Sequence, residues 1–346
     1  MKLGVRRDAL RLDRPLHSAH GTVAERVLLG VSILDSDGMC GYGEAAPLEQ
    51  YDGVGVEQVE RALQSYGPVL ARAEAEGMNG ARIIEECRGV ADLPAALAAI
   101  DLALWDRAGR REGRPVAALL TDRPATDVTV NATLSALDRA GAAEQAARAA
   151  REGFGCLKLK VGIGDDAGRV AAVRAAVGPE LALRLDANGA WHVDEAVAAI
   201  DALAPAGLEL VEEPTHGLRA VREVRERVAV RVAIDETASE HGALGAGVAD
   251  AVCLKISRCG GISGLIAAAT LVRASGAEVY LASTLDGPLG VAAAVHAAAA
   301  LASRGPVPPC GLATLGLFEG LENPLPAVGG RIHVPTTAGL GVDPLS

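Results

Sequence analysis

From Val128 onward the apolar pattern repeats. Short runs of alternating or continuous hydrophobic residues are followed by longer stretches whose apolar positions recur at helical spacing. The pattern predicts strands at Val128–Leu134, Cys156–Val161, Leu181–Asp186, Leu208–Glu212, Val230–Asp235, Ala251–Ile256 and Ala277–Ala282, with a short eighth around Pro309–Ala313. Between them it predicts helices over 141–152, 167–177, 193–203, 218–227, 240–246, 262–275 and 289–302. Regular strand–helix alternation builds a parallel sheet with helical crossovers, and eight repeats predict closure into an α/β, (β/α)8-type TIM barrel.

The first part of the chain has another rhythm. Val27–Leu34 reads as a strand ending in the turn text DSDG, and GYGEAAP (Gly41–Pro47) leads to a helical stretch over Val56–Arg72. Leu97, Ile100, Asp101, Leu104, Trp105 and Ala108 share one helical face. The expected organisation is an α+β capping domain over 1–122, a barrel over 123–316 and a tail over 317–346. In the tail, Arg331–Val334 follows Gly329-Gly330 and is expected to pair with the N-terminal domain, so that both termini form the cap.

Composition narrows the partners. Hydrophobic residues make up 50% of the 346 and aromatics only 2%, so the core is aliphatic, as in helices packed on a parallel sheet. A net charge of −11 argues against nucleic acid and anionic membranes as partners. The N-terminus lacks the apolar core of a signal peptide, and the Ala-rich run Val291–Ala302 is too short to cross a bilayer. The six cysteines are scattered without a Cys-x-x-Cys pair, which fits free thiols and a cytoplasmic location.

Charged residues at the predicted strand ends change the picture most. Lys158 and Lys160, Asp186, Glu212, Asp235 and Lys255 follow one another at intervals of 26, 26, 23 and 20 residues, counted from Lys160. In a parallel barrel these positions face one bowl. Alternation along CLKLKV puts Lys158 and Lys160 on one face, and in RLD it puts Arg184 with Asp186. An isolated KLK would read as a surface edge strand; charges at equivalent places on neighbouring strands argue for the bowl. Three carboxylates crowded together raise one another's pKa unless a cation intervenes, and an all-oxygen set selects Mg²⁺ or Mn²⁺. With that ion and three lysines the bowl carries a formal +2, suited to a small dianionic carboxylate. Lys160 and Lys255, on strands facing each other across the ring, are expected to bracket the substrate, with a pKa lowered by cationic neighbours so that one acts as a base. Arg184 is expected to pair with a site carboxylate, and Glu213 and Glu236 to support a lysine.

These motifs together resemble the enolase superfamily, in its muconate-lactonizing subgroup. The resemblance spans the chain: GYGEAAP, AAIDLALWD, KLK, RLDANGAW, VEEP, AIDE and LKISRCGG. It implies Asp186, Glu212 and Asp235 as metal ligands, Lys160 as base and Lys255 as the opposing lysine. LASTLDGPLGVAAAVHAAAAL and CGLATLGLF look most like the o-succinylbenzoate synthases, dehydratases of menaquinone biosynthesis. The alternatives are N-succinylamino acid racemases, cycloisomerases and dipeptide epimerases, the last usually carrying an Asp-x-Asp where this chain has CGLAT. Lys158, Asn188, Ser283, Thr284, Gly311 and Leu312 are the expected substrate contacts. His17–Thr22 and Leu48–Gly53 are expected to fold over the mouth. His296 reads as packing. A barrel that binds metal without catalysis is the alternative of another class. A homo-oligomer is compatible with the sequence, which does not fix the assembly.

Overall fold

The structure is a computed structural model that describes residues 1–135 and 137–345. Lys2–Ser18 (β1) and Gly21–Leu34 (β2) form a long antiparallel hairpin, and Cys40–Ala45 (β3) pairs with β2. The helices Glu49–Asp52 (α1), Val56–Ser65 (α2), Gly67–Ala73 (α3), Gly80–Val90 (α4), Pro94–Glu112 (α5) and Val116–Leu120 (α6) follow. The stretch expected as one helix divides at Tyr66, because Pro68 opens α3 and cannot donate within a continuing helix. Gly41 and Gly43 explain why GYGEAAP and AAIDLALWD belong together. A Cβ at either glycine would collide with the backbone carbonyl of Ala103 or Ala99, so α5 lies directly on β3. Leu29, Ile33, Leu63, Leu70, Ile83 and Ile100 fill the core between this sheet and its helices.

The second part begins with Asp127–Thr129 (β4) and Ala132–Leu134 (β5), then Arg139–Arg151 (α7), Cys156–Lys160 (β6), Asp166–Val177 (α8), Ala182–Asp186 (β7) and Val193–Leu203 (α9). Leu210–Glu212 (β8), Leu218–Arg227 (α10), Val232–Ile234 (β9), Ala251–Leu254 (β10), Ile256–Cys259 (α11), Ile262–Ala274 (α12), Glu278–Leu281 (β11) and Pro288–Ala302 (α13) continue it. Strands β5 to β11 form one seven-stranded parallel sheet in sequential order. The expected eighth strand is reduced to two isolated bridges, Val130 with Cys310 and Ala282 with Gly311, which link the segment to both ends of the sheet. Pro308 and Pro309 remove two backbone donors just ahead of it, so a longer ladder cannot form.

Three further expectations change. Val128–Leu134 is not one strand: it bends at 130–131, and β4 leaves for a different sheet. The tail strands Ala327–Val328 (β12) and Arg331–His333 (β13) join β4, with Ile332 opposite Val128, not the N-terminal sheet. They satisfy the backbone groups that β4 would otherwise leave bare. The tail meets the cap through other bonds, Glu319 N to Arg11 O and Leu340 N to Asp106 Oδ1. Finally, the helix expected over 240–246 is two short 3-10 turns, Glu236–Ser239 and Ala243–Gly245, because Gly242 takes a left-handed conformation between them.

Candidate active site

Register creates the site. In the parallel ladder Lys160 lies opposite Asp186, and Asp186 opposite Glu212, so three neighbouring strands present these side chains at one level. Asp235 follows β9 and Lys255 follows β10 at the same end of the sheet. Asp186 and Glu212 are fully buried, and Lys158, Asp235 and Lys255 nearly so. The chain holds only four lysines, and three of them are here.

Charged pairs organise the cluster. Lys158 Nζ donates to both oxygens of Glu212 at 2.7 and 2.8 Å and lies 2.8 Å from Asp186 Oδ2. Lys160 Nζ donates to Asp186 Oδ2 at 2.5 Å and to Asn188 Oδ1 at 2.7 Å. Lys255 Nζ donates to Asp235 and to the Tyr51 hydroxyl, which itself donates to Asp235 Oδ1 at 2.5 Å. Tyr280 OH donates to Glu212 Oε2 at 2.8 Å.

Burial and mutual repulsion set the protonation pattern. Glu212 is pushed up to about 7, first by burial and then by the charges of Asp186 and Asp235, against the pull of Lys158. Burial alone would raise Asp186, but Lys158 and Lys160 hold it well below the usual carboxylate range. Asp235 is likewise lowered, burial being outweighed by Lys255 and Lys158. The expectation of a depressed lysine is not met at Lys255. Burial pulls Lys158 and Lys255 down, but the facing carboxylates outweigh it, and both are raised. Sequence spacing counted the cationic neighbours and missed how closely each ammonium would pair with an anion.

The carboxylates fit a hard divalent cation. Donor atoms of Glu212, Asp235 and Cys253 lie within 4.8 Å of one another, and Lys158 ties Asp186 to Glu212. The Cys253 thiol lies beside them, its pKa raised above the normal thiol value first by burial and then by Asp235 and Glu212. A site offering oxygens from three carboxylates favours Mg²⁺ or Mn²⁺ over zinc.

Supporting residues fall in several places. Glu213 is buried under Asp235: its Oε2 accepts from Asp235 N at 2.8 Å, and its Oε1 from Thr237 N at 2.9 Å and from His216. It supports backbone, not a lysine. Asn188 and Glu213 have φ of 46° and 41°, a left-handed strain that the surrounding bonds hold in place. Glu236 Oε1 accepts from Asn188 Nδ2 at 2.9 Å and reaches Lys160 only through that amide. Arg184 departs from expectation. It is fully buried but sits two residues before Asp186, deeper in the sheet, where it makes a two-pronged pair with Glu209 at 2.9 and 2.9 Å, donates to Pro309 O at 2.7 Å and stacks 4.9 Å from the Tyr280 ring centre. It braces the floor of the site and, among the described contacts, touches none of Asp186, Glu212 and Asp235.

A cavity opens at the cluster, lined by Lys158, Lys160, Asn188, Asp235 and Lys255 and also by the apolar Leu16, Val23, Leu48, Leu285 and Leu317. Ser283, Thr284 and Gly311 line it as well, but their backbone donors are engaged: Ser283 N with Gly311 O, Thr284 N with Asp286 Oδ2 and Gly311 N with Leu281 O. Leu312 is fully buried in the hydrophobic core and is not a wall of the cavity. The strand end turns it inward against aliphatic neighbours. His296 is a packed histidine, as expected: Ala117 N donates to Nδ1, and Nε2 lies 3.1 Å from Leu340 O. His17–Thr22 and Leu48–Gly53 lie over the mouth as expected, but sequence reasoning singled out neither His20 nor Tyr51 within them, and it missed Thr314, whose hydroxyl is buried, unpartnered and on the cavity wall. The scarcity of lysine was the unused signal for the cluster itself.

Comparison with known proteins agrees with this geometry. Residues 1–121 match the family model of the mandelate racemase / muconate lactonizing enzyme N-terminal domain, and residues 141–345 match the enolase C-terminal domain-like model. The chain therefore belongs to the enolase superfamily, with the cap and the parallel-sheet domain of that family. It is 32% identical over 314 residues to the hydrophobic dipeptide epimerase of Enterococcus faecalis, covering 86% of each protein. It is 38% identical over 222 residues to the o-succinylbenzoate synthase of Thermobifida fusca, covering 60% of this chain and 66% of the relative. The crystal structure of the dipeptide epimerase from Enterococcus faecalis V583, complexed with Mg and the dipeptide L-Leu-L-Tyr, superposes with a TM-score of 0.87 at 28% identity, covering 98% of both chains. Among the described residues, no helix is long and apolar enough to cross a membrane.

Proposed function

We infer that this chain is a Mg²⁺-dependent enzyme that removes the proton α to a substrate carboxylate, and that its reaction is the dehydration giving o-succinylbenzoate. The observation that carries the first half is the placement of Lys160 and Lys255 on either side of three buried carboxylates. The sheet with its bridging segment then serves as the (β/α)8 barrel of such an enzyme.

Asp186, Glu212 and Asp235 would hold the cation, which supplies Lewis-acid stabilisation of negative charge on the substrate carboxylate. Lys160, as free amine, takes the α-proton, and the C–H electron pair moves into the enediolate. Lys255, kept protonated by Asp235, stabilises that charge electrostatically. Collapse of the enediolate expels the β-hydroxyl, which leaves as water with the proton that Lys160 acquired.

Two features support dehydration over dipeptide epimerisation. Among the described lining residues, Asp235 is the only carboxylate, and it belongs to the cation site, so the ammonium of a free dipeptide has no anionic partner. The synthase likeness carries the higher identity of the two relatives, 38% against 32%, over a shorter span. Thr314 Oγ1, buried and without a partner on the cavity wall, would meet the distal end of the substrate. The test is purified protein with Mg²⁺, assayed on the o-succinylbenzoate synthase substrate, on N-succinyl-phenylalanine and on L-Ala-L-Glu. Product formation from the first at a kcat/KM well above the others is expected. Turnover of the dipeptide alone would overturn the assignment.

A further inference from the structure

The cap reaches the two lysines by separate routes. The tip of the β1–β2 hairpin carries His20, whose Nε2 lies 2.8 Å from Glu236 Oε1. The carboxylate is the acceptor, so Nε2 carries the proton. The same oxygen accepts from Asn188 Nδ2 at 2.9 Å, and Asn188 Oδ1 accepts from Lys160 Nζ at 2.7 Å. An unbroken line of hydrogen bonds thus runs from a cap residue to Lys160. Asn188 has little freedom: its backbone is left-handed, and its N–H is bound to Asp186 Oδ1 at 3.0 Å. Its amide orientation is therefore decided by Glu236, which alone engages Nδ2. The second route is direct. Tyr51, on α1, accepts from Lys255 through its hydroxyl and lies under both Lys255 and Arg258, at 4.1 and 4.6 Å from its ring centre.

We propose that His20 is a positioning residue for Lys160, acting through Glu236 and Asn188, while Tyr51 positions Lys255, so that each proton-transfer lysine is aligned by its own element of the cap. The reasoning rests on the reading of these lysines as the proton-transfer pair; the alignment itself is a property of the resting protein. With the hairpin lifted, Glu236 keeps its bond to Asn188 but loses the donor that fixes its side chain, and the amide that orients Lys160 becomes free to turn. The arms meet where the His20 and Tyr51 rings stand edge to face at 5.6 Å and where the Gln50 side chain lies beside Gly21.

The small number of lysines makes this measurable without a substrate. Protein labelled with ¹³C at lysine Cε gives four resonances, for Lys2, Lys158, Lys160 and Lys255, assigned by single Lys→Arg variants. The spectra are recorded with Mg²⁺ at fixed pH. His20→Ala is expected to displace and broaden the Lys160 resonance and leave Lys255 in place. His20→Gln, whose amide still donates to Glu236, restores Lys160. Tyr51→Phe does the converse, moving Lys255 and sparing Lys160. In turnover, His20→Ala lowers kcat at least tenfold with KM changed less than threefold. Displacement of both lysines by either variant, or an unmoved Lys160 in His20→Ala, would overturn the proposal. Unaltered Lys2 and Lys158 signals exclude misfolding as the cause. If the wild-type protein turns over no carboxylate yet the spectra behave as described, the functional reading fails and the two-arm alignment stands.

Discussion

Glu44 offers the sharpest energetic test of how the cap docks. It is the penultimate residue of β3, is 5% exposed, and its Oε1 accepts from Gly287 N at 2.6 Å across the junction with the parallel-sheet domain. Gly287 and Gly290 make room for it; a Cβ at Gly290 would lie 3.0 Å from Oε1. Burial, then the nearby Asp286, push its pKa from 4.5 up to about 8, with Gly287 N and Arg26 pulling the other way. Because the folded-state value lies above the unfolded one, the stabilisation is complete below about pH 4.5 and is lost as pH rises through about 8. At roughly 1.4 kcal/mol per unit the ceiling is about 5 kcal/mol, and local relaxation brings a reasonable expectation to about 3–5 kcal/mol. Glu44→Gln keeps a carbonyl for Gly287 N and cannot ionise. Urea unfolding of both proteins from pH 5 to pH 9 isolates the effect, since other titrating groups cancel in the difference. The stability of the variant relative to wild type should climb with pH by that amount. Parallel pH curves would refute the claim that an ionisable carboxyl is buried at this junction.

Other perturbations give equally definite outcomes. Lys160→Ala should lower turnover by about 10²–10⁴-fold, the usual worth of a positioned general base, while circular dichroism and Mg²⁺ binding persist; unchanged turnover would return the protein to the class of non-catalytic metal-binding barrels. Arg184→Met should cost about 3 kcal/mol in urea unfolding, because it strands Glu209 and uncovers Pro309 O, and Arg184→Met with Glu209→Leu should recover most of the loss. Equal stability of the single and double variants would show that the pair does not brace the floor. His296, buried and depressed to about 4 chiefly by burial, contributes stability that is present above about pH 6.5 and lost as pH falls through 4. His296→Gln should flatten that acid limb in thermal melts.

Much of this architecture was legible in the chain because periodicity and parity are local. Strand β6 ends at Lys160 and β7 at Asp186, as the alternation in CLKLKV and LRLD required, and the in-register ladder then placed Lys160 beside Asp186 and Asp186 beside Glu212. What escaped was set by contacts distant in sequence. The β13 strand chose β4 because β4 turned away at Val130, a bend no hydrophobic pattern encodes. Arg184 shares a face with Asp186, yet one pleat of depth separates a carboxylate of the charged cluster from a floor brace, and only the position of Glu209 decides between them. Leu312 and Thr314 lie two residues apart, one in the core and one on the cavity wall, in a segment too short for alternation to be read. Tyr51 and His20 come from the cap, and their roles depend on where that domain docks. The paired lysines show the limit of charge counting: the sign of a pKa shift follows the nearest partner, and an inventory of charges carries no distances.

The account stands on one divalent ion bound by oxygens of Asp186, Glu212 and Asp235 between two lysines. A crystal grown with Mn²⁺ and measured near the manganese edge locates the ion directly. The expected result is a single strong anomalous peak at roughly 2.2 Å from one oxygen of each carboxylate, with Lys160 and Lys255 on opposite sides of the open coordination positions. A peak bound by Cys253 in place of Asp186, or no peak among these residues at saturating Mn²⁺, would contradict it.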